Sequence, residues 1–495
     1  MTSPAQTLQV RQQTGHRATT LALIGLVLVL FSVSMLPPLF VGIVYDDGGT
    51  RPFFDSFVAT LLLGLALWLP FRRDVIDLKK RHGFLVVAGA WILLSLLCAL
   101  PFMLSAHPHM HFTDAVFEAT SGLTTTGATV LSRLDGLPHS ILYYRAQLNF
   151  LGGMGILVLA VAVLPMLGIG GMQLYRAETP GPMKDEKLTP RIRETAKRLW
   201  YVYVGLVIAC IIAFWLAGMN LFDAVAHGFA TLALGGFSTH DESLGYFQSA
   251  PIEIVAGVFS LLAATNFALQ YLAWEDRSLK PILNNAEFRF FVVVMGLVIV
   301  VTCVALRLTG TFDSWPAFYH GFFQSVSIAT DNGLVSGGYP NWPPFIPLLL
   351  VFASFFGGTV GSTCGGIKAF RFLLLFHQSV REVRLLVHPN AEISVKVGGK
   401  PVSERVVEAV WGFYFLYIFA YCILSLGVAA TGADLVTAFG SVAACINNMG
   451  AGLGETASNF GALSHAAKWM LWLAMLLGRL ELFPLLLVFS RDFWH

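Results

Sequence analysis

The chain has 495 residues, 56% of them hydrophobic and only 12% charged, with a mean hydropathy of +0.69 and a formal net charge of +2. Soluble domains carry about a quarter charged residues, so this composition excludes a string of soluble domains, each of which needs a charged surface. The net charge itself is uninformative, and no basic face suggests a nucleic-acid partner.

A helix that crosses a bilayer needs about 20 mostly apolar residues. Ten stretches qualify: 19–44, 54–71, 83–104, 140–168, 199–218, 251–273, 288–308, 343–376, 406–431 and 466–490, the eighth being interrupted. The first is too long for the apolar core of a signal peptide and lacks a small-residue cleavage site, so it reads as a retained helix. The expected fold is therefore an all-α integral membrane protein with ten transmembrane helices. An even number of crossings places both termini on one side. Twenty-five of the 31 Lys and Arg residues fall at the termini or on alternate connections, at 11–17, 72–81, 176–198, 277–289, 368–405 and 491. The positive-inside rule makes that face cytoplasmic. The six cysteines all lie in apolar or Gly-rich segments and none forms a CxxC pair, so neither a disulfide framework nor a zinc site is expected.

The connections on the other side are different. Segments 105–139, 219–250, 309–342 and 432–465 are long, weakly charged and moderately apolar. Each is too short to cross twice as helices and too apolar for an exposed loop. A re-entrant loop fits: a half-helix enters the membrane and an extended strand leaves it. Such backbone is tolerated at that depth only where it lines a wet path or is buried in protein.

The four segments align on Gly127, Gly236, Gly333 and Gly450. Thirteen residues upstream stand Asp114, Asp223, His320 and Thr437, each followed by a small residue; nine upstream stand the polar Glu118, His227, Gln324 and Ser441. A period near 100 residues, repeated four times, reads as an internal repeat. The expected organisation is an N-terminal two-helix unit (1–82) and four helix–pore-loop–helix units (83–173, 174–275, 276–404 and 405–495) around one pore. Four half-helices with their C-terminal ends at mid-membrane present partial negative charge. Extended residues beyond them supply carbonyl oxygens that replace a cation's hydration shell. Glycine at the tight point permits backbone angles barred to other residues. These features predict a cation pathway.

The strings SGLTTTGAT (121–129), GGMGILVLAVAVLPMLGIGG (152–171), LGGFSTHD (234–241), GSTCGGIK (361–368), INNMGAGLGE (446–455) and GRLELF (478–483) resemble the Trk/Ktr/HKT superfamily, in particular its TrkH-type potassium uptake subunits. The resemblance covers essentially residues 20–490. It implies potassium uptake across a bacterial inner membrane, potassium as the ion carried, no organic cofactor on this chain, a homodimer with one pore per protomer, and a cytoplasmic ring of TrkA-type nucleotide-binding subunits. It implies a filter made of Thr125, Thr126 and Gly127; Leu234, Gly235 and Gly236; Asp331, Asn332 and Gly333; and Asn448, Met449 and Gly450. Glycine at all four filter positions goes with potassium in this superfamily, whereas serine in the first goes with sodium-preferring relatives.

The third filter departs from a plain Thr/Gly string. Asp331 either faces the pore and raises cation occupancy, or stands behind the filter as a scaffold partner; carboxylates at membrane depth are costly and usually functional. This leaves a less selective potassium/sodium pathway open. Sequence does not separate a channel from a proton- or sodium-coupled symporter.

Five of the twelve residues in 357–368 are glycine, where helix propensity is poor. The run reads either as a close helix contact or as an unwound gate. The resemblance favours the gate, with Gly357, Gly358, Gly361, Ser362, Thr363, Gly365, Gly366 and Lys368 as its residues. Arg479, in the last helix, either snorkels to the cytoplasmic face or stands in the pore as a positive barrier, and the resemblance favours the barrier. Glu118 and His227 are expected to brace filter backbone. No HExxH, GxSxG, Walker A or paired-acid cluster is present, so the chain is not expected to be an enzyme.

Overall fold

The computed structural model describes residues 4–72, 80–162, 188–482 and 485. The basic residues Arg73, Lys79, Arg176, Lys184, Lys187 and Arg491 lie outside these, as do the ends of the 140–168 and 466–490 stretches and of the 152–171 and 478–483 strings.

The described chain is helical. In order the main elements are α1 (Pro4–Ser32), α2 (Leu36–Tyr45), α3 (Thr50–Trp68), α4 (Lys80–Leu97), α5 (Leu100–Leu104), α6 (Phe112–Leu123), α7 (His139–Ala162), α8 (Leu188–Leu216), α9 (Leu221–Ala233), α10 (Ala250–Ala263), α11 (Phe267–Glu275), α12 (Lys280–Leu283), α13 (Ala286–Leu308), α14 (Ser314–Ala329), α15 (Phe345–Ser354), α16 (Ala369–Val387), α17 (Glu404–Ala430), α18 (Leu435–Ile446) and α19 (His465–Arg479). A hairpin between α16 and α17 pairs Lys396–Val397 antiparallel with Lys400–Pro401. Among the described residues six helical stretches are long and apolar enough to cross a membrane: Ala18–Tyr45, Thr50–Trp68, Gly83–Leu104, Thr195–Leu216, Ala286–Leu308 and Glu404–Ala430. Helices are the natural spanning form because every backbone polar group is satisfied within the segment.

Two expected spans are broken. The stretch 251–273 is not one helix; α10 and α11 meet at 92°. Asn266 causes the restart, its side chain accepting from the N–H groups of Ala268 and Leu269 as an N-cap. The Ala264 carbonyl left at the break accepts from the Thr359 N–H at 2.9 Å. The stretch 343–376 divides into α15, the non-helical residues 355–368, and α16.

The chain packs as two compact units. One comprises 1–120, 136–144 and 480–495; the other comprises 121–135 and 145–479. In the first, α1 and α3 cross where both carry glycine. A Cβ on Gly25 would meet Trp68 N at 2.6 Å and Gly64 O at 2.8 Å; one on Gly64 would meet Val29 N at 2.8 Å. Small residues let helix backbones approach this closely in a membrane protein. The second unit holds every residue of the expected filter and gate.

Gly25→Leu is expected to force α1 off α3, with an overpacking cost of about 1–3 kcal/mol. The thermal unfolding temperature of the purified protein in detergent measures this, and an unchanged value would contradict the contact.

Candidate functional site

The site begins with the four short helices α6, α9, α14 and α18, which end in the same way. In each, an N–H reaches back three residues and the next N–H reaches back five. Thr125 and Thr126 bond Gly122 and Ser121; Leu234 and Gly235 bond Thr231 and Ala230; Asp331 and Asn332 bond Ile328 and Ser327; Asn448 and Met449 bond Cys445 and Ala444, all at 2.8–3.2 Å. This Schellman arrangement satisfies helix-end carbonyls by turning one residue left-handed. The turned residues are Thr125 (φ +50°), Leu234 (+53°), Asp331 (+62°) and Asn448 (+57°). Two positions later comes a left-handed glycine: Gly127 (+81°), Gly236 (+69°), Gly333 (+78°) and Gly450 (+78°).

These glycines close a ring of backbone. A Cβ on Gly127 would meet Gly235 O at 2.6 Å, and one on Gly236 would meet Asn332 O at 2.6 Å. One on Gly333 would strike Met449 O, and one on Gly450 would strike Thr126 O, with Gly127 C at 2.7 Å. Each glycine therefore abuts the carbonyl just before the glycine of the next loop, and the fourth abuts the first. The structure brings all twelve expected filter residues to this ring.

Polar side chains tie the ring from behind. Asn149 Nδ2 donates to Gly122 O (3.2 Å) and Gly235 O (3.0 Å). Asn448 Nδ2 donates to Thr126 Oγ1 (2.9 Å) and Met475 O (3.0 Å). Asn332 Nδ2 donates to Ser260 Oγ (2.7 Å), and Tyr417 Oη donates to Asn447 Oδ1 (2.6 Å) and Ile446 O (3.0 Å). Arg145 donates to Ser238 O (2.8 Å) and Thr129 Oγ1 (3.1 Å), and its guanidinium lies 4.2 Å from the Phe237 ring centroid. Sequence reasoning missed Arg145, Asn149 and Tyr417 as site residues. The available signal was the cluster Arg145, Gln147 and Asn149 inside an apolar stretch, since polar groups at that depth face the protein interior.

The polar residues nine positions before the glycines, Glu118 and His227 among them the expected braces, behave unequally. Gln324 Oε1 accepts from the Ser336 N–H at 3.0 Å. His227 instead bonds the Asp223 carbonyl and Ser238 Oγ, each at 2.9 Å. Glu118 is fully buried on α6.

The Gly-rich segment 355–368 runs against the ends of three of the four short helices. Thr363 Oγ1 donates to Leu232 O (3.1 Å), Cys364 Sγ to Thr330 O (3.1 Å), and the Gly366 N–H to Asn447 O (3.2 Å). On its other flank, the Phe267 N–H donates to Gly361 O (3.1 Å) and the Val360 N–H to Glu287 Oε1 (2.7 Å). Gly357, Gly361 and Gly366 have φ between +63° and +83°. A Cβ on Gly358 would meet Ala264 O at 2.7 Å and Ser362 Oγ at 2.9 Å. Lys368 Nζ donates to Cys364 O. Arg479 is buried (1% exposed); its guanidinium donates to Thr363 O (3.2 Å) and to Gly152 O (3.0 Å). Gly152 itself packs on Leu123 and Thr125. Arg479 therefore fastens the Gly-rich segment to the helix that backs the first loop.

A charged cluster joins the first and second loops. His240 bonds Asp135 through Nδ1 and Asp223 through Nε2 (3.2 Å), and stacks on Tyr246 at 3.6 Å. Burial alone would lower the His240 pKa, but the bonds to Asp223 and Asp135 outweigh it and the net shift is upward from 6.5.

The fold and site define a polytopic helical membrane protein built around a ring of backbone carbonyls and glycines. Residues 50–495 match the family model TrkH, described as cation transport protein. The chain is 50% identical over 476 residues to the Trk system potassium uptake protein TrkH of Vibrio parahaemolyticus, covering 96% of this chain and 98% of that one. It is 48% identical over 482 residues to the Trk system potassium uptake protein TrkG of Escherichia coli K12, covering 97% and 99%. The crystal structure of the potassium transporter TrkH from Vibrio parahaemolyticus superposes with a TM-score of 0.91 at 46% identity, covering 97% of this chain and 99% of that one. The chain belongs to the TrkH family of cation transport proteins, whose matched relatives are transporters and not enzymes.

Because its folded pKa is raised, His240 adds stability that is complete below pH 6.5 and is lost as pH rises through the folded value. Unfolding temperatures measured from pH 6 upward are expected to fall more steeply in the wild type than in His240→Gln. Parallel curves would show that the pair of carboxylates does not hold a charged imidazole.

Proposed function

We propose that the chain is the membrane pathway for potassium uptake across a bacterial inner membrane. The observation that carries this reading is the closed ring at Gly127, Gly236, Gly333 and Gly450. Four helix C-termini and their following backbone converge there with no Cβ between neighbouring loops. Helix C-termini favour a cation through their partial negative charge, and backbone carbonyls replace its water shell. Four-fold glycine at these points, together with relatives named as potassium uptake proteins, supports potassium as the ion carried. In this reading Thr125, Thr126, Leu234, Gly235, Asp331, Asn332, Asn448 and Met449 set the turns that aim the carbonyls. Four helix–loop–helix repeats, preceded by two helices, make up ten crossings with both termini cytoplasmic.

The segment Gly357–Lys368 is the gate of this pathway. It lies against three of the four loop-bearing helices and is fastened by Arg479, with Lys368 bonding within it to the Cys364 carbonyl. Opening requires Arg479 to release Thr363, and its charge raises the barrier to a passing cation until then. The chain works as a homodimer, and TrkA-type nucleotide-binding subunits dock on its basic cytoplasmic connections to set the position of the segment.

Rubidium uptake into liposomes containing the purified protein tests the filter, with potassium, sodium and lithium as competitors. Potassium is expected to compete strongly and sodium weakly, and Gly127→Ser is expected to admit more sodium. Unchanged ion preference in Gly127→Ser would remove the ring as the filter.

For the gate, Arg479→Ala and deletion of 359–364 are both expected to raise rubidium flux. One lost charged hydrogen-bonding group of about 1.5–3 kcal/mol corresponds to roughly ten- to a hundred-fold in a gating equilibrium. Flux that stays at the wild-type level in both would place the barrier elsewhere.

A further inference from the structure

Asp331 does more than turn a helix end. Its side chain is fully buried, and neither carboxylate oxygen has a hydrogen-bond partner among the described residues. A buried carboxylate without partners is costly and is met by a proton or by a counter-charge. Lys368 and Arg479 act on it electrostatically, but their hydrogen bonds go to the carbonyls of Cys364, Thr363 and Gly152.

The carboxylate points at two glycines of the Gly-rich segment. A Cβ on Gly366 would lie 2.9 Å from Ser354 O, 3.3 Å from Asp331 Oδ2 and 3.3 Å from Phe355 O. A Cβ on Gly357 would lie 2.7 Å from Gly365 O and 3.4 Å from the same Oδ2. Three carbonyl oxygens and one carboxylate oxygen thus close around the two glycines in a cradle too tight for a Cβ. All of these donors are hard oxygens, and only one carries charge. Calcium sites recruit six to eight oxygens, commonly several carboxylates, and magnesium keeps ordered waters in a strict octahedron. A single carboxylate among carbonyls suits a monovalent alkali cation. No group of three or more metal-ligating side chains exists among the described residues.

We propose that Asp331 and the cradle at Gly357 and Gly366 form an inner cation site, separate from the glycine ring, that holds one dehydrated alkali cation between the ring and the Gly-rich segment. This rests on the potassium-pathway reading and deepens it. The carboxylate neutralises the ion where Lys368 and Arg479 would otherwise repel it. The cation in turn satisfies the carboxylate.

The test uses the full-length protein as wild type, Asp331→Asn and Gly366→Ala. The first variant removes the charge at nearly constant shape; the second fills the cradle and keeps the carboxylate. Half-saturating rubidium in liposome uptake is expected to rise at least about tenfold in both, as for loss of one strong ligand. Stabilisation of the detergent-solubilised protein by potassium over choline at equal ionic strength is expected to shrink in both. Wild-type half-saturation and stabilisation in both variants would overturn the site. If either variant does not fold, the infrared difference spectrum of the wild type, potassium minus choline, decides. A perturbed carboxylate band supports the site, and a carboxyl that stays protonated in both salts overturns it. Failure of the underlying reading looks different: wild-type rubidium uptake that potassium does not compete.

Discussion

Everything in the second unit depends on a left-handed turn made four times, twice by residues that resist it. The left-handed conformation costs Thr125 and Leu234 about 1–2 kcal/mol each, whereas Asp331 and Asn448 adopt it more readily. The turn is held because each one closes two backbone hydrogen bonds at a helix end, where water cannot take their place. Strain of this kind survives only where the surroundings over-determine it. Asn149, Asn448 and Tyr417 supply that surrounding grip with side chains fixed to the loops or helix ends at the ring, and Asn332 supplies it by bonding Ser260 of α10. The strain in turn places each glycine two residues further on, left-handed, against the next loop.

The outer surface follows the opposite rule. On α13, Val293, Leu297, Val300 and Val304 are exposed, while Phe291, Met295, Val298, Thr302 and Leu306 are buried. A helix of a soluble protein hides its apolar stripe and shows polar residues; this one is apolar on both faces and places its single mid-helix hydroxyl, Thr302, inside. Hydrophobic burial then gives little preference for one helix face over the other in lipid. Close packing at glycines and interior hydrogen bonds must specify the fold instead. Gly228 against Ile211, Gly257 against Phe322 and Gly321 against Cys303 are contacts of that kind.

Much of this is legible in the sequence because glycine is a local signal. The four anchors, the dense run after Gly357 and the Gly478–Arg479 pair can be picked out with no knowledge of what they touch. What cannot be read is the partner. The stretch 251–273 looks continuous because Ala263, Ala264 and Thr265 carry no helix-breaking signal. It breaks because Ala264 O and Phe267 N bond Thr359 and Gly361, residues nearly a hundred positions away, and Asn266 then caps the restart. Arg145 and Asn149 vanish into a hydropathy average, although their bonds join loops 86 and 93 residues distant. Asp331 stands out as a carboxylate at depth, but its direction is fixed by Gly357 and Gly366, whose own turns are set by contacts further along the chain.

The Gly-rich segment brings these strands together. A stretch so poor in side chains has little intrinsic preference for one conformation, so its shape is borrowed from its neighbours. Leu232, Thr330 and Asn447 hold it through helix-end carbonyls, Arg479 holds it through the segment's own carbonyl at Thr363, and Lys368 bonds within it to the Cys364 carbonyl. The first set consists of neutral contacts to the bodies that form the ring. The second consists of charged donors, whose strength depends on the local field. On the proposed reading, a cation arriving beneath the ring before Asp331 neutralises it repels Arg479 and leaves the neutral contacts nearly unchanged. On that reading the segment is released preferentially at Thr363, and the ion's own charge is part of what opens its path.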